Sequence, residues 1–292
     1  MNPLKRQFNF RPLAAASLAG AALLLGLPAT ASAHRIEKHF TVAEHAVVIV
    51  HNPNGLITVK SWAKPEVMVT ADHASDKVEV DAEQNGNRVE LMTHLLSENV
   101  SPSELRADYE LSVPEDAELQ IHNDSGTVAV TDVAGDMSVE TIAAGVQLEN
   151  AGGYLTIKTV GGAFDCVRCY GRIVAQSISG NLRVLENRSA SVRFQTSAGN
   201  IFFQGDFLPT GTYVLKNYSG AIEVHFNPGT SFDLSATSLK GKVINDAELT
   251  PPVHPKNQGP KFSHGLFGSY NNGRAKVELT SFSGTISIRK GN

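Results

Sequence analysis

Glycine recurs at a nearly fixed interval through most of this sequence. From Val113 onward one set falls at Gly126, Gly145, Gly162, Gly180, Gly199, Gly220 and Gly241, and Gly284 follows after a much longer gap. Before that gap the glycines stand close to one interval apart, and across it the interval roughly doubles. A second set lies about halfway between, at Gly135, Gly153, Gly171, Gly211 and Gly273. Behind most of these glycines apolar residues stand two and four positions on, as in Val128/Val130, Ile201/Phe203, Ile222/Val224 and Ile286/Ile288. A period of two is the signature of strands with one buried face. A chain that turns a corner every nine or ten residues uses backbone angles that most side chains resist and glycine accepts. One such turn cannot cover its own apolar face, so stacked copies must bury one another's. The pattern predicts an all-β chain whose residues 114–292 form a single-chain β-solenoid, parallel and β-helix-like, with coils of about 19 residues. A β-sandwich also has frequent short strands and turns, but it has no reason to repeat one corner phrase at one period.

Residues 34–113 lack the periodic corner. "VVIVHNPNGLITV" sets Asn54-Gly55, and "VEVDAEQNGNRVELM" sets Asn85-Gly86, between alternating apolar runs, a hairpin signal. This segment is expected to be an antiparallel β cap over the N-terminal end, where unpaired strand edges would otherwise invite aggregation. At the other end Arg289, Lys290 and Gly291 are expected to blunt the last edge.

Positions 1–33 read as a secretory signal peptide. Lys5, Arg6 and Arg11 precede a short apolar run, Leu13 to Leu27, and Ala31-Ser32-Ala33 supplies the small residues of a cleavage site, so the chain is expected to be cut between Ala33 and His34. With that leader removed, 22 basic residues face 29 acidic ones, a formal charge of −7. This balance argues against nucleic acid or an anionic lipid surface as the main partner. No later stretch is apolar enough to insert into a membrane. The expectation is an exported protein, periplasmic or on the cell surface.

The phrases "YELSVP" (Tyr109 to Pro114) and "AKVELTSFSGTISIRKG", with the recurring Ser-Gly-x-apolar-x-apolar motif, resemble the bacterial adhesin-like family named domain of unknown function 4097. The resemblance implies an exported β-solenoid of the cell envelope. It brings no catalytic residues.

The sequence offers few sites for chemistry. Cys166 and Cys169 in "DCVRCYG" are the only cysteines. Their place in a strand and corner, in an oxidising compartment, predicts a structural disulfide rather than a redox pair, which would need a helix N-terminus. Two cysteines do not complete a zinc site. The ten histidines follow no ligand spacing, and no nucleophile elbow or phosphate-binding glycine loop is present. Asp124, Asp132 and Asp136 lie close in sequence but lack the glycine-aspartate nonapeptide of calcium-binding β-rolls. No cofactor or metal is therefore expected. The proline-rich break "TPPVHPKNQGPKFSHGLFGSYNNG" (250–273) reads as a loop inserted in the solenoid. Insertions in repeat proteins often carry binding. Its aromatic half names His264, Phe267 and Tyr270 as candidate binding residues, unless Phe262, Leu266 and Phe267 fold back over the end of the coil.

The function expected is a non-enzymatic, exported, adhesin-like envelope protein that presents a binding surface to a glycan or a protein partner. The alternatives are a polysaccharide-active β-helix enzyme and a periplasmic envelope-stress sensor or scaffold.

Overall fold

A computed structural model describes residues 34–73, 75–251 and 264–291. Among these residues there is no helix, and every strand belongs to one sheet. Most of the sheet forms two parallel ladders that close around a common core, with antiparallel strands added at the ends. The long strands Val47–Trp62, Glu118–Thr131 and Leu182–Thr196 each run through both ladders.

The first ladder stacks Val47–Asn52 on Glu118–Asn123, then Met137–Thr141, Tyr154–Thr159, Tyr170–Ser177, Ser191–Thr196 and Thr212–Asn217. The second stacks Ile57–Trp62 with Thr127–Thr131, Gly145–Glu149, Phe164–Val167, Leu182–Leu185, Ile201–Gly205 and Ile222–Phe226. Met137, Leu155 and Ile173 stand in register one sequence period apart, and Val192 and Tyr213 continue the same row. This is the glycine period seen in three dimensions.

Alternation decides which side chains go in. Leu119, Met137, Leu155, Ile173, Val192 and Tyr213 are buried from the first ladder, and Val128, Val146, Phe164, Leu182, Ile201 and Ile222 from the second. The C-terminal half of the core is aromatic, with Phe203, Phe207, Tyr213, Phe226, Phe232 and Tyr270 packed edge-to-face or stacked.

The corner from the first ladder to the second is held by a device that the glycine spacing alone does not reveal. Three positions before each corner glycine sits a buried hydroxyl or amide. Gly162, Gly180 and Gly199 donate their N–H to Thr159 Oγ1 (2.9 Å), Ser177 Oγ (2.7 Å) and Thr196 Oγ1 (3.1 Å). The glycines stack on one another so closely that a Cβ on Gly180 would lie 2.0 Å from the Gly162 carbonyl oxygen. Gly145 is not in this column. Ala144 takes that place, below Gly162, and a Cβ on Gly145 meets nothing closer than 3.9 Å.

Three expectations are corrected. Asn54-Gly55 is no hairpin: Val47–Trp62 is one strand that bends at the corner, because its residues pair in parallel with Glu118–Thr131 on both sides of the bend. Asn85-Gly86 does make one, with Asn85 opposite Arg88. Parallel stacking thus begins at Val47, and the boundary expected at 113/114 does not mark its start. The antiparallel strands at this end are His34–Thr41 on Glu66–His73, Glu66–His73 on Ala107–Pro114, and Val78–Asn85 on Arg88–Leu95. Tyr109 of "YELSVP" ties them to the stack. Its hydroxyl lies 2.6 Å from Thr93 Oγ1, which donates to Asn52 Oδ1 (3.0 Å), and burial pushes the phenol up to about 12.

The third correction concerns the C-terminus. Ala275–Ser281 lies between Thr212–Asn217 and Phe232–Ser238, and Ile286–Lys290 lies between Ile222–Phe226 and Val243–Asn245. Arg289, Lys290 and Gly291 therefore end an interior strand and blunt no edge. The long gap before Gly284 has the same cause, since Gly284 stacks on Gly220, and Gly241 stacks on Gly284. The outer edge of Phe232–Ser238 is covered by the antiparallel strand His264–Tyr270.

Candidate functional site

The residues singled out from the sequence do not form one site. His264 opens the strand His264–Tyr270 and is exposed, while Phe267 is half-buried on the opposite side of that strand. Tyr270 is turned into the core, stacked on Phe232 at 5.3 Å between ring centroids, with its hydroxyl donating to Pro228 O (3.3 Å). The period of two prevents His264 and Phe267 from sharing a face, and Tyr270 has no surface to offer a partner. Residues 252–263, with Phe262, and Ala33 of the cleavage pair lie outside the described residues. His34 begins the first strand, 2.7 Å from Asp76.

Cys166, on the inward register of Phe164–Val167, is bonded to Cys169 at the following corner, and both are fully buried. The three aspartates are dispersed. Asp124 lies beside His122 (3.4 Å), Asp132 accepts from Asn150 Nδ2 (2.7 Å), and Asp136 accepts from the Tyr154 N–H (2.8 Å). Among the described residues no group of three His, Cys, Asp or Glu side chains is placed to hold a metal.

A concavity lies where no motif pointed, on the outer side of the first ladder near its N-terminal end. Its volume is about 510 Å³, and its lining includes His51, Arg88, Gln120, His122, Glu140 and Tyr154. These are the outward residues of successive strands, and register alone brings them together: His51 pairs with His122, and His122 with Glu140. The rings of His51 and His122 are 6.0 Å apart. Lys158 Nζ donates to Glu140 Oε1 at 2.8 Å and holds that carboxyl below its usual range.

A second feature follows the corner of the ladders. The residue after each buried corner hydroxyl or amide points outward, giving the column Ile142, Val160, Ile178, Ser197, Tyr218, Phe282 and Leu239. Ile142, Val160, Ile178 and Tyr218 are 52, 45, 58 and 59% exposed. Tyr218 stacks on Phe282, with centroids 4.5 Å apart and planes 6° from parallel, and Lys240 Nζ covers Phe282 at 4.8 Å. A reading of the second position before each corner glycine would have found this ridge.

No family model matches the chain, and no curated protein matches it. Solved structures similar to it include a putative cell adhesion protein from Clostridium sporogenes, at 11% identity over 88% of this chain and all of that one, with a TM-score of 0.29. A putative adhesin from Bacteroides fragilis is 10% identical over 87% of this chain and 97% of its own, with a TM-score of 0.33. A putative adhesin from Parabacteroides merdae is 10% identical over 88% and 96%, with a TM-score of 0.27. At such scores the likeness carries no argument about mechanism.

Proposed function

We propose that this chain is a non-enzymatic, exported cell-envelope protein, adhesin-like, that binds a glycan along the outer face of its first ladder. In this reading the two ladders are the faces of a β-solenoid, one coil to each sequence period, and the N-terminal antiparallel strands are its cap. The observation that carries the proposal is the outward array from the Val47 strand to the Phe232 strand, in which every strand presents polar side chains and only a few apolar ones, such as Ile49, Val174 and Val214, stand among them. At about 4.8 Å per strand it offers roughly 40 Å of continuous surface, a length suited to an extended polymer. Tyr rings next to Gln, Ser, His and charged groups provide the mixture of flat apolar surface and hydrogen-bonding groups that sugar rings need.

Glu140 is unsuited to act as the general acid of a glycoside hydrolase. A general acid for glycoside hydrolysis needs a raised pKa, whereas Lys158 holds this carboxyl low. Export places such a surface in the periplasm or on the cell exterior. The test is retention of polysaccharides on the immobilised chain 34–292, with reducing ends assayed in the same wells. Retention without new reducing ends is expected. Depolymerisation would replace the proposal by the enzymatic reading, and failure to retain any saccharide would overturn it.

A further inference from the structure

The middle of the first face has a charge pattern unlike the rest of the molecule. Outward from Tyr154–Thr159, Tyr170–Ser177, Ser191–Thr196 and Thr212–Asn217 stand Lys158, Arg172, Arg193 and Lys216, and no carboxylate. The nearest acids are on the flanking strands, where Glu140 pairs with Lys158 (2.8 Å) and Glu278 with Lys216 (2.7 Å). Among the described residues Arg172 and Arg193 form no ion pair. Arg172 lies over the Tyr154 ring at 5.2 Å instead. Lys158 and Lys216 are thus paired at the margins, and Arg172 and Arg193 remain as two unpaired cations side by side in a chain whose formal net charge is −4.

Beside this patch the apolar ridge has a vacancy of one side chain. Tyr218 stacks one ring face on Phe282, so its other face looks along the column toward Ser197, whose side chain is too short to cover it. Beyond Ser197 stands Ile178. Tyr218 and Ile178 are two strand steps apart, roughly 10 Å at ~4.8 Å per step, which leaves room for one ring in van der Waals contact with both. The adjoining cleft, about 260 Å³, is lined by Lys158, Gln176, Ile178, Gln195 and Ser197. Among the described residues the side chains of Gln176 and Gln195 make no hydrogen bond, so their amides are free to pair with hydroxyls.

We propose that this cleft, which Lys158 lines, is a subsite for an acidic polysaccharide of the carboxylated, uronate type: one pyranose ring seats between Tyr218 and Ile178, and carboxylates of units further along the polymer reach Arg193 and then Arg172, which lie along the same strands from the cleft. The inference rests on the glycan-binding proposal above and names its ligand class and location. Neutral amides and a hydroxyl beside an aromatic face suit a sugar ring better than a partner's phenyl ring. Arginine is suited to the work because its planar fork pairs with both oxygens of a carboxylate.

The experiment is calorimetric titration of the chain 34–292 with hexagalacturonate and with its methyl ester, at 50 and 300 mM salt. The acid form is expected to bind at least tenfold more tightly than the ester at 50 mM and to lose most of that advantage at 300 mM. Arg172→Gln with Arg193→Gln should weaken the acid form at least tenfold and leave the ester unaffected. Tyr218→Ser should weaken both, and Lys60→Gln, on the other face, neither. Circular dichroism melts confirm that each variant is folded, and the wild-type salt dependence tests the charge argument without any variant. Equal binding of acid and ester, or unchanged affinity in the arginine variant, overturns this inference alone. Binding of oligodeoxythymidine or phosphatidylglycerol vesicles as tightly as hexagalacturonate also overturns it. No binding of either saccharide overturns it and removes the support for its parent proposal.

Discussion

Replacing Gly180 by Ala probes the corner column at its middle. The added Cβ would lie 2.0 Å from Gly162 O and 2.8 Å from its carbonyl carbon. Comfortable contact between such atoms is about 3.5 Å, so the two strands must part by more than ~1 Å locally. That movement strains or breaks the Gly180 N–H to Ser177 Oγ bond (2.7 Å) and the neighbouring Ser179 N–H to Val160 O bond (2.9 Å). Two hydrogen bonds at about 1 kcal/mol each, with overpacking strain of ~1–3 kcal/mol, give a loss of about 3–5 kcal/mol. Gly145 is the internal control. It is one of the glycines of the sequence period, yet its Cβ would meet nothing closer than the Ala163 carbonyl oxygen at 3.9 Å, and its φ is ordinary. Gly145→Ala is expected to be neutral or to stabilise by up to about 1 kcal/mol through the unfolded chain. Urea unfolding followed by circular dichroism measures both. At roughly 2–4 °C per kcal/mol for a chain of this size, Gly180→Ala should also melt about 10 °C lower. Equal midpoints for the two variants, or a larger loss for Gly145→Ala, would refute the stacked-corner argument.

Other expectations follow from the same geometry. Thr196→Val keeps the shape but leaves the Gly199 N–H unsatisfied, so a loss of about 1–3 kcal/mol in urea unfolding is expected. Removing residues 275–292 strips the strands from between Thr212–Asn217 and Phe232–Ser238; size-exclusion chromatography should show aggregation rather than a slightly shorter monomer. The Cys166–Cys169 bond closes so short a loop that Cys166→Ser with Cys169→Ser should cost no more than about 2 kcal/mol through chain entropy, together with whatever the buried hydroxyls add; thermal melts with and without reductant measure this. His39 lies between Glu37 (3.1 Å) and Glu66 (2.5 Å), and the bonds to Glu37 first and Glu66 second raise its pKa. A raised histidine stabilises the fold below its unfolded pKa and loses that contribution as pH rises through the folded one. NMR titration should therefore show the His39 pKa falling toward the ordinary value in Glu66→Gln, with amide protection of the first strand weakening above that pH.

The period of the fold was legible because glycine is irreplaceable where carbonyls crowd a corner, as at Gly162 and Gly180. The spacing could not tell Gly145 from Ala144, since either small residue satisfies the pattern and only packing chooses between them. Nor could it order the last strands, because nothing local distinguishes a strand at the end of a stack from one inserted within it; Gly284 stacking on Gly220 is a long-range choice. The Asn54-Gly55 signal failed for a related reason, as its parallel partner Ser125-Gly126, distant in sequence, overrode a local turn preference. The proposed binding surface was the least legible. Its members, among them His51, His122, Arg172 and Arg193, are separated by whole periods and come to one face only through register.

If the first face binds an acidic glycan as proposed, its lysines are covered in the complex. Lysine acetylation followed by mass spectrometry, with and without saturating hexagalacturonate, addresses this directly. Lys158 and Lys216 on the first face should be protected several-fold, while Lys60 on the second reacts unchanged. Protection of Lys60 with Lys158 and Lys216 left reactive would contradict it.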